Sequence, residues 1–296
     1  MNDDNNILKP WYDEFFKYDY GEANNTLKRH DQKKDHKWSE HSPYKEEEAT
    51  PTPPATKHRL IEDKHRPIVG ESPSGVEVIT MAEMTAAIRM ALRKERPFSM
   101  VDTRCNDSCK PWFEEQKRKG LKDLSLICNF IVADRPEILS GSKVAIICWY
   151  ADGSTKKVTT RHDLNAMKLV INETPLANVT FKKPDFLDNI EDFRDALLDI
   201  AQVARGGAPT DYWEKHFLSA AETLESNDCE YEKLHSAFYL PKPYYKYLMA
   251  ICNSKTGMGM GSWYDLLIVG ERDFKIVTAE LAYQQFRALL YAVNNC

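Results

Sequence analysis

Three polar side chains near the middle of the chain are of types that can do acid–base chemistry. Asp102 and Arg104 directly follow a short apolar run, and His162 lies between a second arginine and Asp163. A carboxylate and a guanidinium at the end of a strand can act on one polar substrate, and an imidazole can move a proton near neutral pH. Asp102, Arg104 and His162 are therefore candidate catalytic residues. The simpler alternatives are an ion pair for the first two and a helix cap near Asp163.

A glycine-rich segment, GMGMGSWY, is the second notable feature. Glycine tolerates backbone conformations closed to other residues, so a loop is predicted. The segment is not the dinucleotide-binding fingerprint, because Ser262 stands where its last glycine is needed. In one interpretation, the amides of Gly259 and Gly261 approach a ligand or partner, and the aromatic pair of Trp263 and Tyr264 supplies a flat contact surface. In the other, the two aromatic side chains pack under the last helix.

The cysteines indicate neither a metal site nor a disulfide framework. Seven cysteines are an odd number scattered along the chain, which favours reduced thiols. Cys105 and Cys109 have no second cysteine or histidine pair nearby, so their spacing does not match a zinc site. The G-x-S-x-G, H-E-x-x-H and EF-hand signatures do not occur either. We therefore predict that the chain uses no metal and no other cofactor.

The stretch from Thr80 to Arg104 resembles the opening of GT-D type glycosyltransferases. The resemblance rests on a helix, an apolar run and then Asp102, and it covers 25 residues. After the strand that family carries a Gly-Asp-Gly-Glu signature, whereas this chain has Cys-Asn-Asp-Ser at 105–108. What the resemblance implies is transfer of a sugar at the end of a strand, next to Asp102.

The first 74 residues differ in composition from the rest of the chain. They contain only 19 apolar or aromatic residues and include clusters of proline and glutamate. Such a composition buries too little surface to fold alone, so a disordered polar arm is predicted for residues 1–74. Residues from about 7 to 20 are the exception, because their apolar positions form one stripe along a helix. Trp11, Phe15 and Phe16 lie on that stripe and are candidate binding residues.

From residue 75 the pattern alternates between strands and helices. Thr80 and Glu83 are spaced as a capping box, which predicts the start of a helix. Asp152 and Gly153 predict a hairpin turn between two strands. These elements predict a domain with a mixed sheet over residues 75–184. The predicted strands are 76–79, 98–101, 124–132, 143–150 and 155–160.

From about residue 185 the apolar spacing becomes helical, which predicts a mostly helical domain over 185–296. One helix is predicted to end at a pair of glycines, and the next is capped by Thr210 or Asp211. A last helix covers about 278–293. The fold class expected for the whole chain is therefore α+β, with a polar N-terminal arm.

Composition narrows the classes of function. A formal net charge of −5, from 40 basic and 45 acidic residues, disfavours a nucleic acid as partner. No apolar run approaches the roughly 20 residues that cross a bilayer, and no signal peptide is evident, so a cytoplasmic location without a membrane partner is expected.

We interpret the sequence as a non-enzymatic interaction or assembly protein. It would be a structural subunit, an inhibitor or an immunity-type partner that contacts another protein, or further copies of itself, through its arm and its aromatic helical domain. The alternative is an enzyme acting on a sugar, a nucleotide or a similar polar ligand near Asp102 and Arg104.

Overall fold

The computed structural model describes most of the chain from Gly75 onwards. The predicted arm and its helix lie outside the described residues, as do Trp11, Phe15 and Phe16. The same holds for Gly259, Gly261 and Tyr264. The described residues are 75–128, 131, 138–139, 142, 144–163, 168–176, 181–207, 211–226, 240–254, 256, 263 and 271–296.

Six helices and four strands make up the described part of the chain. The predicted α+β class is confirmed, since the strands lie in one continuous stretch and four helices follow them. In chain order the elements are α1 Gly75–Leu92, α2 Thr103–Arg118, β1 Leu121–Cys128, β2 Val144–Tyr150, β3 Thr155–Asp163, β4 Lys168–Pro175, α3 Ile190–Gly207, α4 Tyr212–Glu225, α5 Lys242–Asn253 and α6 Glu271–Asn295.

The sheet is antiparallel, so the prediction of a mixed sheet is wrong. Its order is β1-β2-β3-β4, and each of the three neighbouring pairs is antiparallel. The hairpin between β2 and β3 turns at Gly153, whose φ of 83° is in the left-handed region that glycine adopts without strain. Residues 76–79 and 98–101, which were predicted to be strands, are not strands.

Residues 76–79 belong to α1, and residues 98–101 have no regular structure. The apolar run that predicted a strand is buried as part of a helix, since Val78, Ile79 and Met81 are each at most 6% exposed. A helix that is buried on several sides lacks the one-sided apolar periodicity by which a sequence distinguishes a helix from a strand. The predicted capping box is also wrong, because Thr80 lies inside α1, which begins at Gly75.

Helices α1 and α2 cover one face of the sheet. Thr80 of α1 contacts His162 of β3, and Gln116 of α2 accepts a hydrogen bond of 2.7 Å from the Tyr150 hydroxyl of β2. By the register of β2 and β3, Tyr150 and His162 point to the same face. Both helices therefore lie on the face of the sheet that carries Tyr150 and His162.

The last helix joins the helical part of the chain to the sheet. Helix α6 packs against α1 and β1 as well as against α3 and α5. Arg89 of α1 is buried, and its guanidinium donates to Asp123 and to the carbonyl oxygens of Leu124 and Cys296. One hydrophobic cluster includes residues from Val78 to Cys296. The domain boundary near residue 185 stays a prediction.

Candidate functional site

Asp102 is the N-cap of α2. Its Oδ1 accepts hydrogen bonds from the backbone N–H groups of Arg104, at 2.8 Å, and of Cys105, at 3.3 Å. Aspartate is favoured at this position because its carboxylate satisfies free N–H groups of the first turn and interacts well with the helix dipole. The Asp102 carboxylate therefore has a structural task, which is to start the helix.

The Arg104 side chain pairs with the same carboxylate. Its Nε lies 3.3 Å from Asp102 Oδ1, and its Nη2 lies 3.1 Å from Oδ2. The local ion pair is thus present, at the start of a helix instead of the end of a strand. Because the Arg104 side chain is 57% exposed, solvent screening limits such a pair to about 0–1 kcal/mol of stability.

The ionisation of this pair follows from its contacts. Partial burial raises the pKa of Asp102, but hydrogen bonds from the Arg104 side chain and from the backbone of Arg104 and Cys105 outweigh burial, so the pKa is lowered overall. The hydrogen bond to Asp102 raises the pKa of Arg104. Asp102 is therefore a carboxylate at neutral pH and has no proton to donate as a general acid.

His162 of β3 is close enough to this ion pair for both charges to affect its pKa. Its Nε2 lies 3.4 Å from the Oγ1 of Thr80, which is buried in α1. Partial burial lowers the pKa of His162, the Asp102 carboxylate raises it, and the Arg104 guanidinium lowers it, with a net decrease. His162 is therefore a neutral imidazole at pH 7. Asp102 and Arg104, at the start of α2, therefore act electrostatically on His162 of β3.

Thr160 and Cys105 are the other polar side chains that bear on the chemistry available to Asp102, Arg104 and His162. Thr160 lies two residues before His162 on the same face of β3, and its buried hydroxyl has no hydrogen-bond partner among the described residues. Cys105 is buried, and burial, then the charges of Asp102 and Glu83, raise the pKa of its thiol to about 12. His162 and the exposed Arg104 side chain can form hydrogen bonds to a polar ligand, whereas the buried Cys105 thiol is not suited to attack as a thiolate.

Trp263 lies in the core. It is fully buried, and its indole N–H donates to Thr278 Oγ1 at 2.8 Å. Its ring stacks on Phe274 with centroids 4.9 Å apart and meets Trp213 and Phe217 edge-on. This is the packing under the last helix that was one of the two interpretations of the glycine-rich segment.

A polar network that the sequence did not predict connects α2 to β3 and β4. Glu173 Oε1 accepts hydrogen bonds of 2.8 Å from the Trp112 indole and the Gln116 amide, and Oε2 accepts one of 2.7 Å from Lys156. Partial burial raises the pKa of Glu173. Hydrogen bonds from Lys156 and Trp112 and the charge of Lys156 lower the pKa by more than burial raises it, so the net shift is downward. The network therefore anchors α2 on the sheet edge.

Three tyrosines and one carboxylate form a second group that the sequence revealed only in part. Tyr244 and Tyr247 are three residues apart in α5, a spacing that places them on one face of the helix. The structure adds Tyr291 of α6 and Asp188, just before α3. Burial raises the pKa of Tyr247, and its hydrogen bond to Asp188 raises the pKa further. We call Tyr244, Tyr247 and Tyr291 the tyrosine cluster.

Comparison with family models, with curated proteins and with solved structures finds no match to this chain. No group of three or more His, Cys, Asp and Glu side chains in the described part of the chain is placed to hold a metal ion. Among the same residues, no helix combines the length and the apolar character needed to cross a membrane.

Proposed function

We propose that this chain is a non-enzymatic interaction or assembly protein of the cytoplasm, which binds a protein partner or a second copy of itself through its arm and its helical part. The supporting observation is where large apolar side chains are exposed. Leu187, Tyr212 and Ile276 are 67%, 49% and 38% exposed, and each belongs to the helical part. In the described part of 75–184 no large apolar side chain is exposed to this degree.

This distribution favours binding through the helices. Tyr212 opens α4 and stacks on His216 at 5.8 Å, while its ring edge meets the buried Trp213 at 5.3 Å. A tyrosine held by such neighbours loses little conformational entropy on binding, and tyrosine is enriched at protein interfaces. The apolar stripe predicted for residues 7–20 adds a second surface that needs a partner.

The proposal is tested by removing the exposed apolar side chains from the full chain. The variant Leu187→Ser/Tyr212→Ser/Ile276→Ser should lose association, measured as molar mass by light scattering and as recovery of a crosslinked partner. Because these side chains contact solvent, the melting temperature should change little. The matched control replaces three exposed or half-exposed sheet residues, Arg161, Val170 and Asn172, by serine. Equal association of both variants and the wild type would contradict the proposal.

A second candidate is binding of, or catalysis on, a sugar, a nucleotide or a similar polar ligand beside Asp102. The observation that favours it is the electrostatic effect of Asp102 and Arg104 on His162, with the Thr160 hydroxyl, which has no hydrogen-bond partner among the described residues, two positions away on the same face of β3. A neutral imidazole, a hydroxyl and an exposed guanidinium are groups that bind polar ligands.

This candidate is tested by NMR on the His162 ring while glucose 1-phosphate, AMP and UDP are added in turn. A shift that saturates with one ligand and disappears in Arg104→Gln would support a binding site. Arg161→Gln is the matched control, because this neighbouring arginine points to the opposite face of β3. No saturable shift with any of the three would remove the candidate.

A further inference from the structure

The tyrosine cluster brings together three parts of the helical region. The rings of Tyr247 and Tyr291 have centroids 5.2 Å apart, and those of Tyr244 and Tyr291 lie 5.7 Å apart, both meeting edge to face. The Tyr247 hydroxyl donates to Asp188 Oδ1 at 2.7 Å. Tyr244 and Tyr291 are half-buried, so part of each ring is in contact with solvent. Tyr247 itself is buried, so the solvent-facing part of the cluster consists of Tyr244 and Tyr291, with the Asp188 carboxylate bonded to the cluster.

Asp188 has no cationic partner in the described part of the chain. Its Oδ1 accepts from the Ile190 backbone N–H at 2.9 Å and from the Tyr247 hydroxyl, and the carboxylate also hydrogen-bonds Tyr291. All three donors are neutral. The side chain is exposed, and no lysine, arginine or histidine among the described residues forms an ion pair with it. By contrast, Asp192 one turn into α3 pairs with Arg287 at 3.0 Å. The charge of Asp188 is therefore left for a partner.

The residue before Asp188 is the most exposed large apolar side chain of the described chain. Leu187 is 67% exposed and stands beside the carboxylate along the backbone. An exposed leucine, a carboxylate with no cationic partner among the described residues and the half-buried rings of Tyr244 and Tyr291 together match a segment that carries a basic side chain next to an apolar one. A nucleic acid would be repelled by the carboxylate, and a purely apolar segment would leave its charge unpaired.

We propose that the surface formed by Leu187, Asp188 and the tyrosine cluster binds a basic peptide segment of a partner protein, with an arginine or lysine paired to Asp188 and held against the tyrosine rings. The inference rests on the proposed function, since it names the chemistry of the partner. One ring of the cluster already contacts a cation, because Lys246 Nζ lies 5.7 Å from the Tyr247 ring centroid. Arginine fits best, since its planar guanidinium stacks on aromatic rings while its N–H groups bond a carboxylate.

The test uses the full chain and an acetylated, amidated pentapeptide Gly-Leu-Arg-Leu-Gly, whose binding is followed by isothermal titration calorimetry. The control peptide carries citrulline, which has the shape of arginine without its charge. We expect the citrulline peptide to bind at least tenfold more weakly. Asp188→Asn should weaken binding of the arginine peptide by a similar factor while it keeps the acceptor for Tyr247. Asp185→Asn, an exposed neighbour, should change nothing.

A second variant covers the case in which Asp188→Asn perturbs the fold. Tyr244→Leu keeps apolar volume but removes one ring face, and it should weaken the arginine peptide several-fold with little effect on the citrulline peptide. Equal affinity of the two peptides, or absence of binding by both, would overturn the inference. If association of the full chain then still depended on Leu187, Tyr212 and Ile276, only this inference would fail, and the proposed function would stand.

Discussion

The side-chain amide of Asn294 forms hydrogen bonds with both backbone groups of Leu126. Its Oδ1 accepts from the Leu126 N–H at 2.8 Å, and its Nδ2 donates to the Leu126 carbonyl oxygen at 3.0 Å. Strand β1 pairs only with β2 in the described sheet, so these two backbone groups have no strand partner. Asn294 therefore acts as a local substitute for a strand and protects a sheet edge, while it joins α6 to the sheet.

Replacing this amide should be costly. Asn294→Ala leaves a buried N–H and a buried carbonyl oxygen without partners, and each costs about 1–3 kcal/mol, so we expect a loss of about 3 kcal/mol in the free energy of unfolding. Urea unfolding followed by circular dichroism measures it. Asn172→Ala on the exposed side of β4 is the matched control and should cost no more than about 0.5 kcal/mol. A loss below about 1 kcal/mol at Asn294 would contradict this role.

The Glu173 network predicts a dependence of stability on acid. The pKa of Glu173 is lowered in the folded chain, so the folded state holds this proton less tightly than the unfolded state. Its contribution is fully present above the unfolded pKa of about 4.3 and is lost as the pH falls through the lower folded pKa. Urea midpoints measured from pH 6 downward should therefore fall less steeply for Glu173→Gln than for the wild type. Parallel curves would show that the carboxylate contributes no such linkage.

The pKa of His162 should respond in opposite directions to its two charged neighbours. The Asp102 carboxylate raises this pKa, so Asp102→Asn, which keeps an N-cap residue, should lower it. The Arg104 guanidinium lowers it, so Arg104→Gln should raise it. NMR titration of the His162 ring measures both changes. Equal pKa values in the wild type and both variants would mean that the three side chains are too far apart to act together.

Features set by short stretches of sequence could be predicted. The hairpin at Asp152 and Gly153 follows from turn chemistry. Helix α4 begins after Asp211 as predicted, although the Asp211 side chain makes no capping hydrogen bond and pairs with Lys215 instead. The apolar run at 76–79 was misassigned because the burial that makes it helical comes from β1, β2 and α6, which follow later in the chain. Local propensity is a weak prior where tertiary packing decides the outcome.

In the candidate sites, too, the sequence predicts contacts between residues close in the chain but not contacts between distant elements. Asp102 and Arg104 could be nominated together because they are two residues apart, but their meeting with His162 depends on how α2 packs on the sheet. Tyr244 and Tyr247 share a helix face that their spacing shows. Their contact with Tyr291 and Asp188 joins α5 to α6 and to the segment before α3, which no local pattern encodes.

The most direct test of association as the function compares the full chain with a chain that begins at Gly75. Size exclusion with light scattering gives the molar mass of each, and crosslinking gives the partner that each recovers. We expect the full chain to form an oligomer or a defined complex and the shortened chain to be a monomer without that partner. The same oligomeric state and the same recovered partner for both chains would contradict an assembly role for the arm.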